Sequence, residues 1–259
     1  VGYATEEQLN NDLNYGDMFA NMEFKEKIET EMQKVSKTFD RFRKLQLTQS
    51  PEDMQAFKEA KTELNNRLTT LNDLLNRKMY SAITAGSVLY DKWLTSHQPF
   101  HWLAEYYHII HGNGGFDVII GNPPYVVYTR KDKQTKKAVS DIYKLRDYKT
   151  RDCNNLYAFV IERSFNIMHE SAKIGMIIPI SAFSNSNMVD LQSLLKKKGS
   201  SIHISTYHQR PAQLFTGVLQ RLSIFVCSKK ENSSSPIYTT GIYRWYASTR
   251  EFLFQNFHH

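Results

Sequence analysis

Phe116-Asp117-Val118-Ile119-Ile120-Gly121-Asn122-Pro123-Pro124-Tyr125 is the stretch that decides the fold. Val118, Ile119 and Ile120 form an apolar, β-branched run too short for a helix and flanked by glycines, which predicts a buried strand. Two prolines then fix φ twice and remove two backbone donors, so the ladder stops in a stiff extended turn. In an open α/β sheet, ligands bind at the carboxyl ends of strands. Asn122, the Pro123 carbonyl and the Tyr125 ring are thus expected at a ligand site. The set suits a planar substrate carrying an NH2 group. An amide oxygen and a carbonyl accept its two hydrogens, and the ring lies on its face.

Working outward, Gly112-Asn113-Gly114-Gly115 precedes the strand. Its Gly-x-Gly leads into a strand instead of following one and opening a helix, so it fails the test for a dinucleotide loop. On the other side the chain is basic: Arg130, Lys131, Lys133, Lys136 and Lys137, then Lys144, Arg146, Lys149 and Arg151. Tyr128, Tyr143 and Tyr148 are interleaved, a pattern that suits phosphates and exposed bases. Asp132, Asp141, Asp147 and Asp152 soften the charge, and a solvated loop is the plainer reading. Residues 155–170 read as a helix, Met176–Pro179 as a second buried strand, Val189–Lys198 as a helix, and Ile202–Tyr207 and Leu222–Val226 as further strands. This alternation predicts an α/β fold with a largely parallel sheet and helices on both faces. Ile237–Trp245 reads either as a last strand or as the lead into a further domain.

Upstream, Ile28, Met32, Val35, Phe39, Phe42 and Leu45 recur at helical steps, as do Phe57, Ala60, Leu64, Leu68, Leu71 and Leu75. Ser50-Pro51-Glu52-Asp53 between them is a helix start. Two long amphipathic helices packed as an antiparallel hairpin are expected. Leu13-Asn14-Tyr15-Gly16-Asp17 reads as a short strand ending in a Gly-Asp turn or as an ordinary loop. His108 and His111 lack companions for a metal site and read as packing or surface residues.

The 259 residues accommodate one large domain or a domain with an appendage. A net charge of +7 hints at a polyanionic partner. Cys153 and Cys227 have no metal spacing and make no disulfide framework, which points to a reducing compartment. No apolar run approaches membrane length.

The motifs, taken in order, resemble a known family. Asn122-Pro123-Pro124-Tyr125 at a strand end is similar to the catalytic motif of S-adenosylmethionine-dependent amino-group methyltransferases. Residues 114–125 resemble the N6-adenine DNA methyltransferases, in particular the large bacterial restriction–modification enzymes. Asn155-Leu156-Tyr157-Ala158-Phe159-Val160-Ile161-Glu162-Arg163 resembles the helix after the catalytic loop, and Gly175-Met176-Ile177-Ile178-Pro179 the next strand. Leu214-Phe215-Thr216-Gly217-Val218 resembles the late loop whose aromatic packs on the target base. The resemblance covers about 100 to the C-terminus.

The resemblance implies a partial Rossmann-like methyltransferase sheet with flanking helices, plus an inserted long α-helical hairpin. It implies transfer of a methyl group from S-adenosylmethionine to N6 of a flipped adenine in double-stranded DNA, within a bacterial, cytoplasmic restriction–modification or related defence system. Asn122, Pro123, Pro124 and Tyr125 would be catalytic, with Tyr125 and Phe215 stacking on the base. Asp17, Asp117 and Asn122 would face the cofactor, and Arg130, Lys131, Lys133, Lys136 and Lys137 the DNA phosphates. The implied mechanism needs no metal. The family's Gly-rich cofactor motif has no counterpart among the eleven glycines. The resemblance therefore implies a catalytic-domain fragment, inactive alone, that works with the remainder of a longer protein. The implied layout is a strand and Gly-Asp turn within 1–20, a helical insertion over 21–111, the catalytic half over 112–235, and over 236–259 the lead into a target-recognition domain. An RNA or protein methyltransferase, and a methyltransferase-like module that binds nucleic acid without catalysis, are the alternatives.

Overall fold

The computed structural model describes residues 2–13, 18–47, 51–84, 88–143, 145, 147–215, 217–230 and 236–253, without the side chains of 18–20, 51 and 52. The chain divides into two compact units, Val1–Gly115 and Phe116–His259. Gly114 and Gly115 at the boundary take φ of 75° and 129°, a region that favours glycine.

The first unit is helical: α1 (Glu6–Leu13), α2 (Met18–Leu45), α3 (Pro51–Thr84), α4 (Tyr90–His97) and α5 (Trp102–Glu105), then a π-helical turn over His108–Gly112. The expected hairpin is present. Phe42 stacks on Phe57 with ring centroids 5.1 Å apart. At the opposite end Lys78 Nζ donates to Asn21 Oδ1 at 2.9 Å, so α2 and α3 run antiparallel. Ile28, Met32, Val35, Leu64, Leu71 and Leu75 fill the interior. His108 lies on Phe39 with centroids 3.8 Å apart, and His111 bonds Glu6.

The strand reading near Leu13 is corrected for the residues the structure describes, because Leu13 closes a helix. The signal for it was present. The Gln8 N–H donates to Thr5 Oγ1 at 3.3 Å, and Gln8 Oε1 accepts the Ala4 N–H at 3.0 Å, which together resemble a capping box. Leu9 and Leu13 then bury against the helical core. Residues 14–17, with the Gly-Asp turn, lie outside the described residues.

The second unit is built on a five-stranded sheet: β1 (Phe116–Gly121), β2 (Met168–Pro179), β3 (Gly199–Tyr207), β4 (Leu222–Lys229) and β5 (Ile237–Tyr243). The spatial order is β1-β2-β4-β3-β5. Its helical segments are α6 (Val139–Ile142), α7 (Leu156–Ile167), α8 (Ser181–Ser184) and α9 (Val189–Lys198). The largely parallel sheet expected from alternation is corrected to a mixed one. β1 runs parallel to β2 and β3 to β5, whereas β4 is antiparallel to both of its neighbours. The physical reason is connectivity: among the described residues no helix spans the path from β3 to β4, so β4 returns as a reversed strand. β5 continues the sheet, so residues 237–243 belong to it.

The sheet is also one-sided. Tyr157, Ile161 and Phe165 of α7 and Leu191, Leu194 and Leu195 of α9 pack on Ile174, Met176, Ile178, Ile204 and Phe225. Truncating a side chain such as Phe165 to alanine in this core costs about 3–5 kcal/mol. Val118, Ile120 and Val226 face the other way and are exposed, at 60, 80 and 45%. Helices on both faces are therefore not found among the described residues.

Candidate functional site

β1 pairs with β2 through Ile119↔Ile174, Ile120↔Gly175 and Gly121↔Met176. The ladder ends where Pro123 and Pro124 cannot donate. Pro123 is buried, which seats the turn, and leaves Asn122 exposed beside it. Tyr125 is half-buried, edge-on to Tyr157 with centroids 6.5 Å apart. Its hydroxyl lies 2.6 Å from Asn122 Oδ1 and 2.9 Å from the carbonyl oxygen of Ile177 in β2. Asn122 and Tyr125 thus meet at the carboxyl ends of two parallel strands, where the sequence pattern put them. Burial raises the Tyr125 phenol above its ordinary pKa, so it remains a protonated donor.

The turn is fastened to α7. Val126 O accepts the Leu156 N–H at 2.9 Å, and Asn154 O accepts the Tyr128 N–H at 3.0 Å. Val127 and Asn155 form an isolated antiparallel bridge. These bonds fix the start of α7 against the segment that leaves the clamp.

Phe215 lies in the connection between β3 and β4. It lines a cavity of about 820 Å3 with Ile177, Leu214, Ile224, Arg250 and Leu253. Ile177 joins the two features, since its carbonyl takes the Tyr125 hydroxyl and its residue lines the cavity. Arg250 donates a guanidinium N–H to Leu214 O at 2.6 Å, tying the Phe215 loop to the segment after β5.

The cofactor-facing candidates are not brought together. Asp117 is exposed near the start of β1, while Asn122 follows its last residue. At about 3.3 Å per residue the two are separated by about 16 Å along the strand. Asp17 lies outside the described residues. Among the described residues, Asn122 and Tyr125 meet at the end of β1 and Asp117 stands apart from them. No group of three or more His, Cys, Asp or Glu among the described residues is placed to hold a metal ion.

Arg130, Lys131, Lys133, Lys136 and Lys137 are all exposed. Their loop is ordered by Asp132, whose Oδ1 accepts the N–H groups of Gln134 and Thr135 at 2.9 and 2.8 Å and the Thr135 hydroxyl at 3.1 Å. Those bonds hold the Asp132 carboxyl below its ordinary pKa. Two of the interleaved aromatics pack on a core ring. Tyr128 is buried and edge-on to Phe159, and Tyr148 also packs on Phe159. The Tyr148 hydroxyl accepts from the Arg163 guanidinium at 2.9 Å.

Sequence reasoning missed Glu162. Its carboxylate is buried and accepts the N–H groups of Lys149 and Thr150 and the Thr150 hydroxyl. The available signal was the one acid of the helix, set between the core residues Ile161 and Phe165.

Comparison with known proteins shows the family of the chain. The Eco57I restriction-modification methylase family matches residues 9–215. Over 117 residues the chain is 30% identical to the type II methyltransferase M.HincII of Haemophilus influenzae, covering 45% of this chain and 23% of that protein. Over 68 residues it is 43% identical to the type II restriction enzyme and methyltransferase RM.Eco57I of Escherichia coli, covering 26% of this chain and 7% of that protein. The match thus spans less than a quarter of the length of either relative. Among solved structures, a nuclease-deletion mutant of the Type ISP restriction-modification enzyme LlaGI, in complex with a DNA substrate mimic, aligns with 67% of this chain and 17% of its own, at 13% identity and a TM-score of 0.40. With the family matched across most of its length, this chain belongs to the Eco57I restriction-modification methylases.

Proposed function

We propose that the chain carries the amine-binding half of a DNA methyltransferase acting on N6 of a flipped adenine, within a longer restriction–modification protein. The observation that supports this reading is the clamp itself: Asn122 and Tyr125, 2.6 Å apart on a Pro-Pro frame at the end of β1. Asn122 Oδ1 and the Pro123 carbonyl accept the two N6 hydrogens. Tyr125 covers one face of the base and Phe215 the other. With both hydrogens accepted, the nitrogen lone pair points away from the clamp, and charge developing on N6 during transfer is stabilised by oxygens already in place. S-adenosylmethionine supplies, when bound, an electrophilic methyl group. Extrusion of the base brings it to the clamp, and Arg130, Lys131, Lys133, Lys136 and Lys137 hold the duplex by its phosphates.

The test uses the full-length protein with S-adenosylmethionine and DNA, RNA or protein as acceptor, followed by mass analysis of the digested products. N6-methyladenine in DNA is expected. Asn122→Ala is expected to lower turnover by about 100-fold or more and to leave DNA affinity largely unchanged. Transfer to RNA alone, or normal turnover in Asn122→Ala, overturns the assignment.

A binding module without catalysis is the second reading. It is favoured by one observation, that of the two described cofactor-facing candidates Asn122 follows the last residue of β1 while Asp117 lies near its start. Calorimetric titration of this chain with S-adenosylmethionine separates the half-site from a self-sufficient one. Weak or absent heat fits the half-site, and affinity equal to that of the full-length protein removes it.

A further inference from the structure

A phenol carries one proton, and two acceptor oxygens lie within reach of the Tyr125 hydroxyl. Asn122 Oδ1 is 2.6 Å away and the Ile177 carbonyl 2.9 Å away. The proton serves only one of them at a time. The Asn122 side chain, by contrast, is two-ended: a half-turn about Cβ–Cγ exchanges an acceptor for a donor. As the structure stands, Oδ1 engages Tyr125, so the donor end, Nδ2, is the one left for whatever approaches the exposed side of Asn122. A donor is the wrong polarity for an amino group. In the turned orientation all three groups are satisfied in series. Asn122 Nδ2 donates to Tyr125 Oη, Tyr125 Oη donates to Ile177 O, and Oδ1 is presented outward as an acceptor.

We propose that the Tyr125 hydroxyl is a positioning group that sets the polarity of Asn122 through the relay Asn122 Nδ2 → Tyr125 Oη → Ile177 O, turning Oδ1 toward an incoming amine. The inference rests on the amine-clamp reading above and adds to it a role for β2. The strand next to the clamp supplies the terminal acceptor, so the amide is oriented without movement of the Tyr125 ring. That ring is held edge-on to Tyr157 and against the sheet's core. The switch costs one amide half-turn and one hydroxyl rotation, and no side chain leaves its packing. It also acts as a specificity device. A substrate presenting an acceptor favours the orientation in the structure, and one presenting a donor favours the relay.

The test is a pair of substitutions in the full-length protein. Tyr125→Phe keeps the ring and removes the relay. It is expected to lower kcat by about tenfold, the worth of one hydrogen bond, with KM for DNA unchanged. The fluorescence of 2-aminopurine at the target position, which reports base extrusion, is also expected to be unchanged. Asn122→Asp has an acceptor at both ends and no polarity to set. In that background Tyr125→Phe is expected to change the residual kcat less than twofold. An equal drop in both backgrounds, or no drop in the parent, overturns the relay. A third measurement does not depend on turnover. The side-chain amide signal of Asn122 in the 15N-labelled chain is expected to shift on Tyr125→Phe, and an unmoved signal overturns the proposal. Failure of adenine methylation in the parent protein would instead count against the function proposed above, so the two failures are distinguishable.

Discussion

Glu162 holds Thr150 from two sides: its Oε2 accepts the Thr150 hydroxyl at 2.7 Å and the Thr150 backbone N–H at 2.9 Å. Its other oxygen takes the Lys149 N–H at 2.9 Å. Both Glu162 and Thr150 are buried, so α7 grips the end of the basic segment that begins at the clamp. Glu162→Gln keeps the shape but turns an NH2 toward a backbone N–H. The expected loss is about 1–3 kcal/mol, the cost of a buried group left unpaired. Thermal unfolding of the parent and the variant checks it, and an unchanged midpoint would show that the grip contributes nothing.

His101 gives the helical unit a defined acid sensitivity. Its Nδ1 accepts the Tyr3 N–H at 3.0 Å, and its Nε2 lies 2.9 Å from Asn76 Oδ1. Burial pushes its pKa from 6.5 down to about 3. The folded state therefore holds a neutral ring where the unfolded chain takes up a proton. Stability from this group is complete above pH 6.5 and is lost as pH falls from there toward 3. By pH 5 the loss is about 2 kcal/mol. Urea unfolding at pH 7 and 5 is expected to show this extra loss in the parent and not in His101→Gln. Equal slopes would remove the assignment.

The exposed lysines of the loop after the clamp are expected to act through charge alone. Alanine at Lys131, Lys133, Lys136 and Lys137 together should weaken binding to cognate and unrelated duplexes alike. The slope of log K against log salt should fall by up to about 4, at about 0.9 per phosphate contact. Titrations of the full-length protein at several salt concentrations measure it. A change confined to the cognate sequence would mean that these side chains read bases.

Phe215→Ala tests whether the cavity beside Ile177 receives the base. Losing one stacking surface should cost about 1–3 kcal/mol of base capture. The expected readout is a smaller 2-aminopurine signal at the target position, with overall DNA affinity nearly retained. An undiminished signal would remove Phe215 from the pocket.

Local features were legible where one segment decides its own structure. Val118–Tyr125 announces a strand and a rigid stop, and Pro51 announces a helix start; both are found, but the strand expected to be buried exposes Val118 and Ile120. Pairing was less legible. The reversed direction of β4 depends on what lies beside it, and nothing within Leu222–Lys229 encodes that. The interleaved tyrosines misled for a similar reason. Tyr128 and Tyr148 look like base-stacking residues in a basic run, yet Phe159, in a helix starting at Leu156, is what they touch. The Ile177 carbonyl is a backbone atom, and no residue pattern marks it as a partner for Tyr125.

The two prolines have one more consequence, which concerns length. β1 is the outermost strand of the sheet, hydrogen-bonded to β2 on one side only among the described strands. Its outward edge offers a row of backbone groups that ends where Pro123 and Pro124 offer no N–H. Any strand added along that edge meets a fixed terminus one residue before the prolines. The Pro-Pro step is therefore a ruler as well as a frame: it measures off how far an added strand advances and keeps backbone pairing from running on into the ground that Asn122 and Tyr125 occupy.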